Sequence, residues 1–134
     1  MAAITVTASE VAPVQSLEQL TLPIAASEAP IAAGSVVEIN SSGYLAVVSD
    51  DAAGRFGLTV RNASNEGDGV TVMFKGILYL GSALDALSIG ATVYVSGTVD
   101  GGLDTAAGAN TLAAGVVVPI WDDTTAKKAL WLNL

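Results

Sequence analysis

The sequence predicts an all-β fold: a small single-domain β-barrel or sandwich of about eight short strands, with an extended N-terminal arm. Three observations predict it. Apolar and polar residues alternate with period two over several segments. Clusters of Gly, Asn and Asp bound those segments at roughly 10-residue spacing. No stretch keeps a helical period long enough to form a scaffold helix.

Taken in order, the first 30 residues are interrupted by Pro13, Pro23 and Pro30. Their one strand-like piece is Ile4 to Ala8, where Ile4, Val6 and Ala8 alternate with Thr5, Thr7 and Ser9. Residues 1–30 therefore read as an extended arm that orders against a neighbour, and residues 31–134 as the β-domain. Ser16 and Gln19 have capping-box spacing, which predicts one helical turn over Ser16 to Leu20. Short strands are expected at Ser35 to Ile39 and Tyr44 to Val48, around the turn Asn40-Ser41-Ser42-Gly43, and again at Phe56 to Val60. The loop Asn65-Glu66-Gly67-Asp68-Gly69 then leads into the longest alternation, Val70 to Leu80. One face of that strand carries Val70, Val72, Phe74, Gly76, Leu78 and Leu80, and the other Thr71, Met73, Lys75, Ile77 and Tyr79. A second helical turn is expected at Ser82 to Leu87. Ala91 to Asp100 alternates Ala, Val, Val, Gly, Val against Thr, Tyr, Ser, Thr, Asp, and Asp100-Gly101-Gly102 suits a hairpin turn. Gly115 to Ile120 is a strand that is at an edge or stops at Pro119, which cannot donate a ladder hydrogen bond. The final strand sets Leu130, Leu132 and Leu134 on one face and Ala129, Trp131 and Asn133 on the other.

Composition narrows the function. The 134 residues suffice for one core. Hydrophobic residues make up 51% and aromatics only 5%, so Val, Leu, Ile and Ala build that core. Charged residues, at 13%, are about half the usual share. Mean hydropathy is +0.58, but the apolar runs are about nine residues, short of the ~20 that span a bilayer as a helix. The expectation is a soluble protein, without membrane contact, whose apolar surface meets other protein. Thirteen acidic residues face five basic ones, a net charge of −8. Phosphate binding needs clustered Lys and Arg, so direct nucleic-acid binding is not expected. The chain has neither Cys nor His, which removes thiolate and histidine chemistry. The N-terminus has no charged n-region followed by an apolar core, so no signal peptide is expected.

Few residues are candidates for chemistry. Asp50-Asp51 and Asp122-Asp123 are the acidic pairs, and adjacent strand residues point to opposite faces, so they read as solvated turn residues and not as paired catalytic acids. Asp100-Gly101-Gly102-Leu103-Asp104 has too few spaced oxygen ligands for a calcium loop. No catalytic residue, cofactor or metal ligand is assigned. The candidate contacts to a partner are Ile4, Thr5, Val6, Thr7 and Ala8 of the arm, together with Trp131, because tryptophans concentrate in binding hot spots.

Several stretches, in order, resemble one family. They are Ile4-Thr5-Val6-Thr7-Ala8-Ser9-Glu10-Val11; Pro30-Ile31-Ala32-Ala33-Gly34-Ser35-Val36-Val37 with Ser42-Gly43-Tyr44-Leu45-Ala46; Arg55 to Ala63; Gly69 to Leu78; Ile89 to Ser96; and Leu130 to Leu134. Together they are similar to the small decoration, or cement, proteins of tailed-bacteriophage heads, although Gly115 to Ala129 is longer and more polar than in that family. The resemblance implies a non-enzymatic structural protein made in the host cytoplasm and placed on the outer surface of the virion. It implies the major capsid protein and further copies of the chain, as a homotrimer, for partners. A second expectation is another virion surface module, such as a spike, fibre knob or carbohydrate-binding adhesin. For that reading Trp121 beside Asp122 and Asp123 is the sugar-binding candidate.

Overall fold

The longest alternation in the sequence becomes the spine of the molecule. In the computed structural model, which describes residues 3–25, 28, 30–48, 56–107, 112–122 and 125–133, ten strands form one antiparallel sheet. They are β1 (Ala3–Ile4), β2 (Val11–Pro23), β3 (Val36–Ile39), β4 (Leu45–Val47), β5 (Phe56–Thr59), β6 (Gly69–Leu80), β7 (Thr92–Val95), β8 (Leu103–Asp104), β9 (Ala113–Asp122) and β10 (Thr125–Asn133). The main path runs β1–β8–β7–β9–β10–β6–β5–β3–β4, with β2 added on β6. β2 follows β6 along its whole length, from Pro23 opposite Gly69 to Val11 opposite Leu80. β5 meets Val72 and Met73, and β10 meets Lys75 to Leu78. A strand has only two edges, so β5 and β10 share the second edge of β6 in succession.

A bulge decides how this sheet builds its interior. Glu18 lies opposite Lys75 and Gln19 opposite Met73, which leaves Phe74 as an extra residue on β6. One extra residue sends every later side chain to the other face. Accordingly Val70 and Val72 join Ile24, Ile31, Val37, Leu45 and Ala63 in a smaller core, with Phe74 packed against it. Met73, Leu78 and Leu80 instead enter the larger core with Leu58, Val93, Val95, Leu103, Val117, Leu130 and Leu132. The expected apolar face Val70 to Leu80 is therefore divided between two cores. The alternation located the strand correctly, but the bulge arises from pairing with β2 and has no local signature. Gly76 lies just past it with φ +140°, a conformation other residues rarely adopt, and a Cβ there would run into the Gln15 carbonyl oxygen of β2.

The sheet curls around the larger core while its ladder stays open, with β1 and β4 as the ends of the path. The turn between β7 and β8 spans the gap. The Val36 N–H donates to the Gly101 carbonyl at 2.8 Å, and the Gly101 N–H donates to the Val48 carbonyl at 2.7 Å. Gly101 makes this approach at φ +67°, where an added Cβ would lie 2.6 Å from Val47 Cγ1. Buried Ser96 shapes the same turn: its Oγ accepts from the Thr98 N–H at 3.2 Å and the Val99 N–H at 3.0 Å. This is why β7 ends at Val95 and does not run on to Asp100 as the alternation suggested. A short polar side chain bonding its own backbone competes with the ladder.

The proline-interrupted segment departs furthest from expectation. β1 pairs with β8, Ile4 opposite Leu103, and Ile4, Val6 and Val11 pack against the larger core. A 3-10 turn spans Ala8–Glu10. Ser16 to Leu20 is strand, not a helical turn. The Ser16 hydroxyl donates to the Gln19 side-chain oxygen at 2.7 Å, while the backbone is taken by the ladder to β6. One isolated helical turn is a costly nucleus, and a long strand partner outcompetes it. Ile24, 1% exposed, lies in the smaller core, so the chain is already interior before residue 30. The expected turn after β6 is a 3-10 turn over Gly81–Leu84, continued by Leu87 N–H donating to the Leu84 carbonyl at 3.0 Å. Lys128 reaches it from β10, its Nζ donating to the Asp85 and Leu87 carbonyls. Pro119 does not end its strand. β9 continues to Asp122 against β10. On its other edge the Val117 N–H donates to the Ala91 carbonyl and the Val117 carbonyl accepts from the Gly90 N–H; Pro119 lies past these bonds with no ladder partner on that edge among the described residues, where a missing N–H costs nothing.

Candidate interaction surface

Period-two geometry places Leu130 and Leu132 in the larger core, each fully buried, and so turns Trp131 outward. Ladder register then sets a cross-strand row on the outer face. Thr92 of β7 is opposite Val116 of β9, Val116 is opposite Trp131, Trp131 is opposite Ile77 of β6, and Ile77 is opposite Gln15 of β2. Trp131 is 51% exposed and Val116 38%. Leu17, the residue skipped where the β2 register shifts between Ser16 and Glu18, is 62% exposed. These three, with Lys75 and Asn133, line an open groove of about 560 Å³.

The groove is apolar at its centre and charged at its border. Lys75 lines it. Lys127, four residues before Trp131 on the same face of β10, has its ammonium 6.0 Å from the centroid of the Tyr79 ring, at the outer limit of a cation–π contact. Exposed Glu18 stands opposite Lys75 in the β2–β6 ladder, so charges of both signs border the exposed apolar side chains. Such a patch, an aromatic anchor with a polar rim, has the anatomy of a protein-docking surface. Beside it β2 presents Val14 and Leu20, 48% and 50% exposed, and its outer edge has no ladder partner among the described residues. An unpaired strand edge is itself a template for another chain.

The structure does not bring the other candidate contacts to this groove. Ile4 and Val6 turn inward against the larger core and Ala8 enters the 3-10 turn, which leaves Thr5 and Thr7 exposed. β1 also stands three strands from β10, with β8, β7 and β9 between them. Val14, Leu17 and Leu20 escaped the sequence reading because their spacing of three fits neither an alternating strand nor a usable helix. The register shifts that skip Val14 and Leu17 depend on β6, and Leu20 is placed by its pairing with Val72. Asp100 to Gly102 ends the β7–β8 connection and Leu103 and Asp104 are β8, with the buried Asp104 carboxylate accepting from the Ala106 N–H at 3.2 Å. Asp50, Asp51 and Asp123, and the side chains of Trp121 and Asp122, lie outside the described residues. Among the described residues, no three acidic, His or Cys side chains converge on a point that could hold a metal ion.

No family model, curated protein or solved structure matches this chain.

Proposed function

We propose that this chain is a non-enzymatic structural protein of the tailed-bacteriophage virion. It binds the outside of the mature head and stabilises the shell against the pressure of packaged DNA. Its partners are the major capsid protein and further copies of itself, arranged as a homotrimer, and it uses no cofactor, nucleic acid or membrane. It is made in the host cytoplasm and joins the head from there.

The observation that carries this reading is the exposed Trp131 groove on the outer sheet face, bordered by Lys75 and flanked by the free edge of β2. A small β-domain presenting that much apolar surface gains most by burying it at a junction between subunits. The edge adds backbone hydrogen bonds that need no pocket. The ordered resemblance from Ile4 to Leu134 supplies the identity of the lattice. Electron microscopy of heads with and without the protein tests the proposal, followed by heating of both. Extra density on the outer surface and heads that rupture at higher temperature are expected. Absence of the protein from purified virions, or equal rupture temperatures, overturns it.

A further inference from the structure

A second groove lies at the β4 end of the sheet path, built from turns. Its floor is Ile24, 1% exposed, and its walls are the β3–β4 turn and the loop before β6; Asn40, Ser42, Tyr44, Glu66 and Gly67 line this open depression of about 520 Å³. That volume is in the range of small-molecule sites. Both walls are braced. Across the first, the Asn40 N–H donates to the Tyr44 carbonyl at 2.9 Å and the Gly43 N–H to the Asn40 carbonyl at 3.0 Å. The second is held on the floor residue, with Gly67 N–H donating to the Ile24 carbonyl and Ile24 N–H to the Asp68 carbonyl, each at 3.1 Å. Asn65 N–H closes it on the Asp68 carboxylate at 3.0 Å.

The chemistry of the lining selects a ligand class. Asn40 Oδ1 accepts from the Ser42 and Tyr44 N–H groups at 2.9 and 3.0 Å. That fixes the amide orientation and leaves its NH2, with two donors, as the end offered to a ligand. Ser42 adds a hydroxyl and Glu66 a carboxylate acceptor. Tyr44, 42% exposed, adds an aromatic ring whose electron-rich face attracts polarised C–H groups. Among the described residues the lining holds no Lys or Arg, and the chain carries a net charge of −8, so phosphates, sialic acids and uronic acids are disfavoured. A ligand with an apolar ring face, hydroxyls at its edge and no charge satisfies every group present.

We propose that this groove binds an uncharged pyranose sugar, stacked on Tyr44 and hydrogen-bonded at its rim by Asn40 and Glu66. The site shares no residue with the Trp131 groove, so it stands or falls independently of the capsid reading. It lies where the sheet ends in exposed turns, a position open to a polysaccharide chain as well as to a free sugar.

The test titrates the isotope-labelled full chain with methyl glucoside, methyl galactoside and methyl mannoside, with glucuronate as the charged control, following amide resonances. A neutral polysaccharide such as dextran, mixed with the chain and sedimented, separates polymer capture from free-sugar binding. Saturable shifts at Ser42, Tyr44 and Gly67 with at least one neutral glycoside, and none with glucuronate, are expected. Tyr44→Ala weakens that binding about tenfold, Glu66→Gln weakens it less, and Trp131→Thr leaves it unchanged. Spectra of each variant without sugar verify that the turns keep their fold. Absence of shifts with all three glycosides overturns the proposal. So do shifts that map elsewhere, or equal binding by a folded Tyr44→Ala variant.

Discussion

Replacing Trp131 with threonine removes the centre of the outer groove while keeping a residue that suits a solvent-facing strand position. The indole is 51% exposed, and a tryptophan buries up to about 250 Å² when fully covered. Roughly 100 Å² therefore remains for a partner to cover. At about 25 cal/mol per Å², less what threonine retains, the loss is about 2 kcal/mol of attachment, or roughly 30-fold in Kd per site. The portion already buried costs the fold a similar amount, which a stability of about 5–15 kcal/mol tolerates. The assay is cosedimentation of purified protein with heads that lack it, over a concentration series, with urea unfolding run on each variant. Val99→Thr is the control, since Val99 is 45% exposed in the β7–β8 turn and outside the groove. If Trp131→Thr binds within about threefold of the wild type, the groove is not the contact. Equal weakening by Val99→Thr would show a general effect of lost apolar surface and would refute the same reasoning.

Gly76→Ala combines a positive φ with a collision against the Gln15 carbonyl, so urea unfolding should show a loss of about 2–4 kcal/mol; a change under about 0.5 kcal/mol would mean that β2 does not pass there. Ser96→Ala strips the acceptor from the Thr98 and Val99 N–H groups, and a drop of about 1–2 kcal/mol is expected in the same measurement. Faster hydrogen exchange at the Val36 and Gly101 amides should accompany it, and unchanged exchange there would count against the turn as the tie across the core. Deleting residues 2–12 removes β1 and the packing of Ile4, Val6 and Val11 on the larger core, which should cost roughly 3 kcal/mol or more and lower the melting temperature. A truncated chain that melts at the wild-type temperature would return this segment to the status of a detachable arm.

Much of the fold was legible in residues that act locally. The alternation from Val70 to Leu80, and the separation of Leu130 and Leu132 from Trp131, depend only on successive side chains pointing to opposite faces. The turn at Asn40 to Gly43 was legible for a similar reason, since the Asn40 side chain bonds the N–H groups two and four residues on. The candidate surface was half legible: Trp131 could be singled out as outward-facing, but not the neighbours that make it a groove. Tyr44 was seen only as a strand residue, because Glu66, Gly67 and Ile24 come to it from distant positions in the chain.

By itself, then, the sequence determined the all-β class, the central strand β6, the two faces of the last strand and the main turns, all consequences of backbone geometry within a few residues. Tertiary structure alone decided three things. β2 became a 13-residue strand because a long ladder to β6 satisfies more backbone than one helical turn can. Phe74 became an extra residue in that ladder, and this divided one apolar face of β6 between two cores. Leu17 came to lie beside Trp131 and Val116 because register against a partner strand, not local spacing, sets which side chains meet across a sheet.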